Sequence, residues 1–118
     1  MSFDFNNDVP IYLQIIEDIK IKIISGKYIP NQKLQSVRDL SMVYQVNPNT
    51  MQKALAELES IGLIYTERTN GKFITNDASI INSIKENTIN ERFDEFFKSM
   101  ADIGLSKKQI IDLLKGKE

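Results

Sequence analysis

The chain contains neither cysteine nor histidine. Without cysteine there is no disulfide, no thiolate metal site and no thiol nucleophile. Without histidine, the commonest general base and the commonest transition-metal ligand are missing together. Asp, Glu, Lys, Ser and Tyr remain, but they fall on amphipathic helix patterns and form no recognisable catalytic grouping. Neither an enzyme, a metal site nor a cofactor is therefore expected. Long apolar runs are missing too: none approaches the roughly 18–20 residues of a membrane span. The opening Met1-Ser2-Phe3-Asp4-Phe5-Asn6 is polar and mildly acidic, unlike a secretory signal, so a cytoplasmic location without membrane association is expected. Nor is there a surplus of positive charge. Fifteen Lys and Arg face 16 Asp and Glu, a net charge of −1, whereas nucleic-acid binding usually leaves a basic footprint.

What is present is a 118-residue chain with 42% hydrophobic and 26% charged residues, the balance of a globular protein of one ordinary domain plus a modest appendage. The charges are unevenly placed. From Lys27 to Ala56 the basic residues are Lys27, Lys33, Arg38 and Lys53, and Asp39 is the sole acid. Arg68 and Lys72 flank a predicted loop, while acids collect at Glu17-Asp18, Glu57, Glu59 and toward the C-terminus. A locally positive face can steer toward phosphate on a neutral chain.

Hydrophobic periodicity predicts the elements. Tyr12, Ile15, Ile16, Ile19 and Ile23 form one stripe of a first helix, with Asp8 as expected N-cap, Pro10 in the first turn and Gly26 as terminator. A second helix starts at Ser36, which has a capping-box-like spacing to Asp39, and presents Val37, Leu40 and Val43 as its apolar face. In the third helix Asn47 is the expected cap and Pro48 the first residue; Met51, Ala54, Leu55 and Leu58 are buried, and Gly62 ends it. The period then changes. Leu63–Glu67 and Phe73-Ile74-Thr75 are β-prone around the turn signal Thr69-Asn70-Gly71, a short hairpin that must pack on the helices to be stable. Beyond Asp77 a long helix runs to a break at Gly104, followed by a last helix with Ser106 and Gln109 as a capping box. The expected class is mainly α with a small β-hairpin: a winged helix-turn-helix over residues 1–76, then a C-terminal helical hairpin over 77–118.

The residues that carry this order also resemble a known family. Leu34-Gln35-Ser36-Val37-Arg38-Asp39-Leu40, Val46-Asn47-Pro48-Asn49-Thr50, Leu58-Glu59-Ser60-Ile61-Gly62-Leu63-Ile64 and the tip Arg68-Thr69-Asn70-Gly71-Lys72-Phe73 follow one another at the spacing of the GntR family of bacterial transcription regulators. The resemblance runs from Pro10 to Thr75. Two departures stand out: Asn31 replaces the glycine after Pro30, a position where Asn tolerates positive φ, and Thr69 replaces the first wing glycine. The roughly 40 residues after the wing are too few for a large effector domain. The tail instead resembles the YtrA-like subfamily, in which two helices serve dimerisation.

The resemblance implies a sequence-specific, double-stranded-DNA-binding regulator, a homodimeric repressor on an inverted-repeat operator. The third helix would enter the major groove, with Asn47, Pro48, Asn49, Thr50, Gln52 and Lys53 at its leading end. Asn and Gln pair bidentately with adenine, which points to A·T pairs at the contacted positions. Ser36 and Arg38 would meet backbone phosphate, and Arg68, Gly71 and Lys72 would supply wing contacts. Blander roles stand beside these: helix capping for Asn47 and Thr50, a solvated face for Gln52 and Lys53, a surface ion pair for Arg38, a plain exposed lysine for Lys72. Phe93, Phe96, Phe97 and Met100 are too many apolar groups for a short hairpin to bury alone. A dimer interface, packing against the first helix and a pocket for an apolar small-molecule effector are the three readings. A winged-helix module that binds protein is the alternative function, and the acid-free stretch from Leu40 to Ala56 argues against it.

Overall fold

A computed structural model describes residues 3–117. The elements follow the order α1 (Ile11–Ile24), α2 (Val37–Tyr44), α3 (Pro48–Ser60), β1 (Ile64–Glu67), β2 (Gly71–Ile74), α4 (Ala78–Ala101) and α5 (Lys107–Lys115). Among the described residues no helix is long and apolar enough to cross a membrane.

In α1 the buried positions are Ile15, Ile19 and Ile23, one residue per turn on the face that packs against α3. Asp8 is not its cap. Pro10 occupies the N-cap position and its carbonyl accepts from the Leu13 and Gln14 amides. No side chain, that of Asp8 included, makes a cap bond to the helix start. Gln14 closes the entry instead: its Nε2 donates to the carbonyls of Asn6 (2.6 Å) and Val9 (2.8 Å), and its Oε1 accepts from the Asn6 amide (2.7 Å). A glutamine in the first turn carries both a donor and an acceptor back to the preceding chain, which an aspartate cannot do.

Ser36 caps α2, its Oγ accepting from the Asp39 amide at 3.1 Å, and Asp39 is too short to complete the box. The buried face of α2 is Leu40, Ser41 and Tyr44; Val43 is 49% exposed, contrary to its expected place in the core. The rotation follows from Tyr44. Its hydroxyl donates to Asp18 Oδ2 of α1 at 2.5 Å and accepts from Lys22 Nζ at 3.3 Å, so the polar tip of the ring has partners where it is buried. Burial first, and the Asp18 carboxylate second, push the Tyr44 phenol well above its usual pKa. Ser41 is buried without cost in unmet bonds because its Oγ donates to the Val37 carbonyl at 2.6 Å.

The third helix follows its pattern. Asn47 Oδ1 accepts from the Asn49 amide at 2.8 Å, Pro48 is the first helical residue, and Met51, Ala54, Leu55 and Leu58 are buried. Gly62 ends the helix at φ +88°, and a Cβ there would stand 3.2 Å from Ile80 Cδ1. The left-handed turn favours glycine, and a Cβ there would also have to push the Ile80 side chain of α4's first turn aside.

The two strands pair antiparallel with Thr66 opposite Lys72 and Glu67 opposite Gly71. They are not left as a bare hairpin. The chain between α1 and α2 lies along the free edge of β2: the Asn31 amide donates to the Ile74 carbonyl (2.9 Å), the Ile74 amide to the Gln32 carbonyl (2.9 Å) and the Leu34 amide to the Lys72 carbonyl (2.8 Å). Asn31 reaches this edge at φ +66°, a conformation asparagine adopts at little strain.

The chain divides into two compact units between Asn82 and Ser83, within α4. The first holds α1 to α3, the hairpin and the opening of α4, where Asp77 Oδ1 accepts from both the amide (2.9 Å) and the hydroxyl (2.6 Å) of Ser79. The second holds the rest of α4 and α5. Thr88 and Ile110 are its buried residues, and Ser106 and Gln109 complete both halves of the capping box.

The rotation of α2 has a measurable consequence. Leu40→Ala is expected to cost about 2–5 kcal/mol and Val43→Ala less than about 0.5 kcal/mol, read from urea denaturation midpoints. Comparable losses from the two would contradict the observed face.

Candidate nucleic-acid interface

With Met51, Ala54, Leu55 and Leu58 turned inward, α3 exposes Asn49, Gln52, Lys53 and Ala56 along its leading part, and Glu57, Glu59 and Ser60 toward its end. Asn47, Pro48, Asn49, Gln52 and Lys53 are exposed and Thr50 is half-buried. The cap uses only the Oδ1 of Asn47, so its amide Nδ2 is free of that duty. Capping and recognition are therefore compatible at this residue. Arg38 and Ser36 are exposed at the start of α2, and Arg68 and Gly71 are exposed at the hairpin end.

Two open grooves join these elements. One, of about 620 Å³, is lined by Val37, Gln52, Ala56, Glu59, Ser60 and Lys72, and so runs between α3, the start of α2 and β2. The other, of about 630 Å³, lies between the start of α2 and the hairpin; Ser36, Asp39, Arg68 and Gly71 are among its walls. Lys72 belongs to both. Ser36, Gln52, Arg68, Gly71 and Lys72 are thus gathered on the two grooves. Arg38, Asn47, Pro48, Asn49, Thr50 and Lys53 lie outside these linings, on the helix surfaces.

Two of the lysines are held by neighbours. Lys53 Nζ sits 3.9 Å from the centre of the Tyr12 ring, a cation–π contact that ties α3's outer side to α1. Lys72 Nζ donates to Thr66 Oγ1 at 2.8 Å and pairs with Glu59 Oε1 at 3.2 Å, and the Thr66 hydroxyl donates to the same Glu59 oxygen at 2.6 Å. The Thr66 bond holds the Glu59 carboxyl below the ordinary glutamate range; burial opposes it, and the bond and charge of Lys72 add to the lowering. Tyr12, Glu59 and Thr66 carried no signal of these roles in the sequence. Tyr12 fitted the apolar stripe of α1, and 41 residues separate it from Lys53 (53 − 12).

In the second unit Phe93 and Phe97 stack with ring centres 6.2 Å apart, and Phe96 and Phe97 lie 5.8 Å apart. Phe93 is 54% and Phe96 40% exposed, with Phe97 and Met100 half-buried. Ile103, Ile111, Leu113 and Leu114 are exposed in the same unit.

Three helices with an outward third helix, followed by a two-stranded wing, make this a winged helix-turn-helix. The family model of bacterial regulatory proteins, gntR family, matches residues 11–74, and the chain belongs to that family. The HTH-type transcriptional regulator YhcF of Bacillus subtilis is 35% identical over 98% of this chain and 95% of its own length. The HTH-type transcriptional repressor YtrA of the same organism is 41% identical over 66% of this chain and 60% of its length, consistent with a YtrA-like member of the family. A GntR family transcriptional regulator from Listeria monocytogenes has the same fold, with a TM-score of 0.86 and 38% identity over 97% of this chain and all (100%) of that one. The AraR DNA-binding domain in complex with operator ORX1 matches 64% of this chain and 95% of its own at a TM-score of 0.58 and 29% identity.

The Glu59 triad can be titrated. Because the folded-state value is depressed, its contribution to stability is present above the unfolded glutamate pKa, about 4.3, and is lost as pH falls through the lower folded value. An NMR titration of the Glu59 side chain is expected to give a midpoint below about 4.3 that rises in Thr66→Val. A midpoint that ignores Thr66→Val would show that the hydroxyl does not hold the carboxylate.

Proposed function

We propose that this regulator represses transcription as a homodimer, each protomer placing the first turns of α3 in the major groove of one half-site of an inverted repeat. The observation that carries this reading is the outward, acid-free leading end of α3, capped by Asn47 and flanked by Arg38 and by the wing. An acid-free end matters because every carboxylate near the duplex would meet phosphate charge. Asn49, Thr50 and Gln52, with Asn47 Nδ2, are the groups for base edges. Pro48 sets the start of the helix beside them, and Lys53, Arg38, Ser36, Arg68 and the Gly71 backbone take phosphate and sugar. The operator complex of the AraR DNA-binding domain supports this placement by similarity of fold. Residues 1–76 read DNA in this proposal and 77–118 join two copies. Exposed Phe93 and Phe96, with Phe97 and Met100 beside them, form the apolar surface that a two-fold partner covers. The protein acts in the cytoplasm on double-stranded DNA and catalyses no reaction.

Selection from a randomised duplex pool at about 150 mM salt, where phosphate contacts alone bind weakly, is expected to enrich an inverted repeat. On that repeat Lys53→Ala weakens all sequences alike, while Asn49→Ala relaxes preference at particular base positions and costs about 1–3 kcal/mol. Absence of any enriched sequence would sink the proposal and favour a protein-binding winged helix. Separately, Phe93→Ser combined with Phe96→Ser is expected to halve the mass seen by sedimentation. A dimer that persists in this variant would place the interface elsewhere.

A further inference from the structure

Of the carboxylates around the reading face, Glu59 is the one that stands on α3 in the groove shared with Gln52 and that pairs with a wing lysine. Glu59 follows Gln52 and Ala56 at helical steps on α3 and lines the same groove. Its Oε1 is occupied by two donors, the Thr66 hydroxyl and the Lys72 ammonium, and Lys72 in turn has Thr66 and Glu59 as its partners. The three side chains come from α3, β1 and β2, and Thr66 and Lys72 are a cross-strand pair. Lys72 is therefore aimed inward at α3, although the family pattern places it at the wing where phosphate would be met.

We infer that Glu59 withholds Lys72 from the DNA backbone, so that the wing neutralises phosphate through Arg68 alone and sequence-independent affinity is kept low. The inference rests on the DNA-reading proposal above. Side-chain exposures of 29% for Lys72 and 42% for Glu59 make this a solvent-accessible pair, one that a single substitution can release without disturbing the core. Thr66 is the positioning element: its hydroxyl bridges acid and base and holds the ammonium on the α3 side of the strand.

Binding to a random-sequence duplex of fixed length, followed by fluorescence anisotropy between about 50 and 200 mM salt, counts the phosphates engaged, since each adds about 0.9 to the slope of log affinity against log salt. Glu59→Gln keeps the size of the side chain and an acceptor for Thr66. It is expected to steepen the slope by about 0.9 and tighten binding about fivefold at about 150 mM salt. Lys72→Ala in the native background is expected to leave the slope unchanged, and Lys72→Ala added to Glu59→Gln to cancel the gain. The inference is overturned if Lys72→Ala alone flattens the slope, since Lys72 would then already be on phosphate. It is equally overturned if Glu59→Gln gives no gain, or a gain that survives Lys72→Ala and so reflects lost repulsion only. Failure of the native protein to bind duplex at all would instead remove the DNA-reading proposal, and this inference with it.

Discussion

The packing of α3 on α1 is the interaction on which the other features depend. Ile15, Ile19 and Ile23 on one helix and Met51, Ala54, Leu55 and Leu58 on the other are all buried, and this contact sets which side of α3 faces out. A helix with a single apolar stripe has no choice of rotation once that stripe is buried. Asn49, Gln52 and Lys53 are therefore presented together because of residues that never approach a ligand. Tyr12 extends the same contact to the rim, where its ring lies under the Lys53 ammonium.

The second constraint is electrostatic. A chain with a net charge of −1 cannot rely on overall attraction to a polyanion, so the sign of the reading face must be arranged locally. Acids are absent from Leu40 to Ala56, and Glu59, one of the two exposed acids near the end of α3, is matched to Lys72. The wing is joined to α3 by this triad and to the preceding loop by the backbone bonds of Asn31, Gln32 and Leu34. A two-stranded hairpin is marginal by itself, and these attachments supply what the strands lack.

The sequence made the helices and their caps legible wherever one local signal governed. Asn47-Pro48 marked the start of α3, Gly62 its end, and Ser106 with Gln109 the box that opens α5. Local reading failed where a side chain outside the motif intervened, whether a few residues on or in another helix. Asp8 looked like a cap, but the side chain of Gln14 took over the entry to α1. Val43 looked like core, but the bond from Tyr44 to Asp18 on α1 turned α2 so that Tyr44 is buried in its place. The pairing of residues 31–34 with β2 was likewise invisible, since nothing in Gln32-Lys33-Leu34 alternates like a strand.

The sequence by itself determined the element order, the buried stripe of α3, the family and the residues at the leading end of the recognition helix. Each of these follows from spacing along a few neighbouring turns or from a contiguous motif. Only the tertiary structure decided which charges on that face are free and which are held. Lys53 rests on Tyr12 and Lys72 is bound to Glu59 and Thr66, pairs brought together from separate elements. Charge is written in the sequence, but its partner is set by distance in space, and electrostatic attraction falls with that distance.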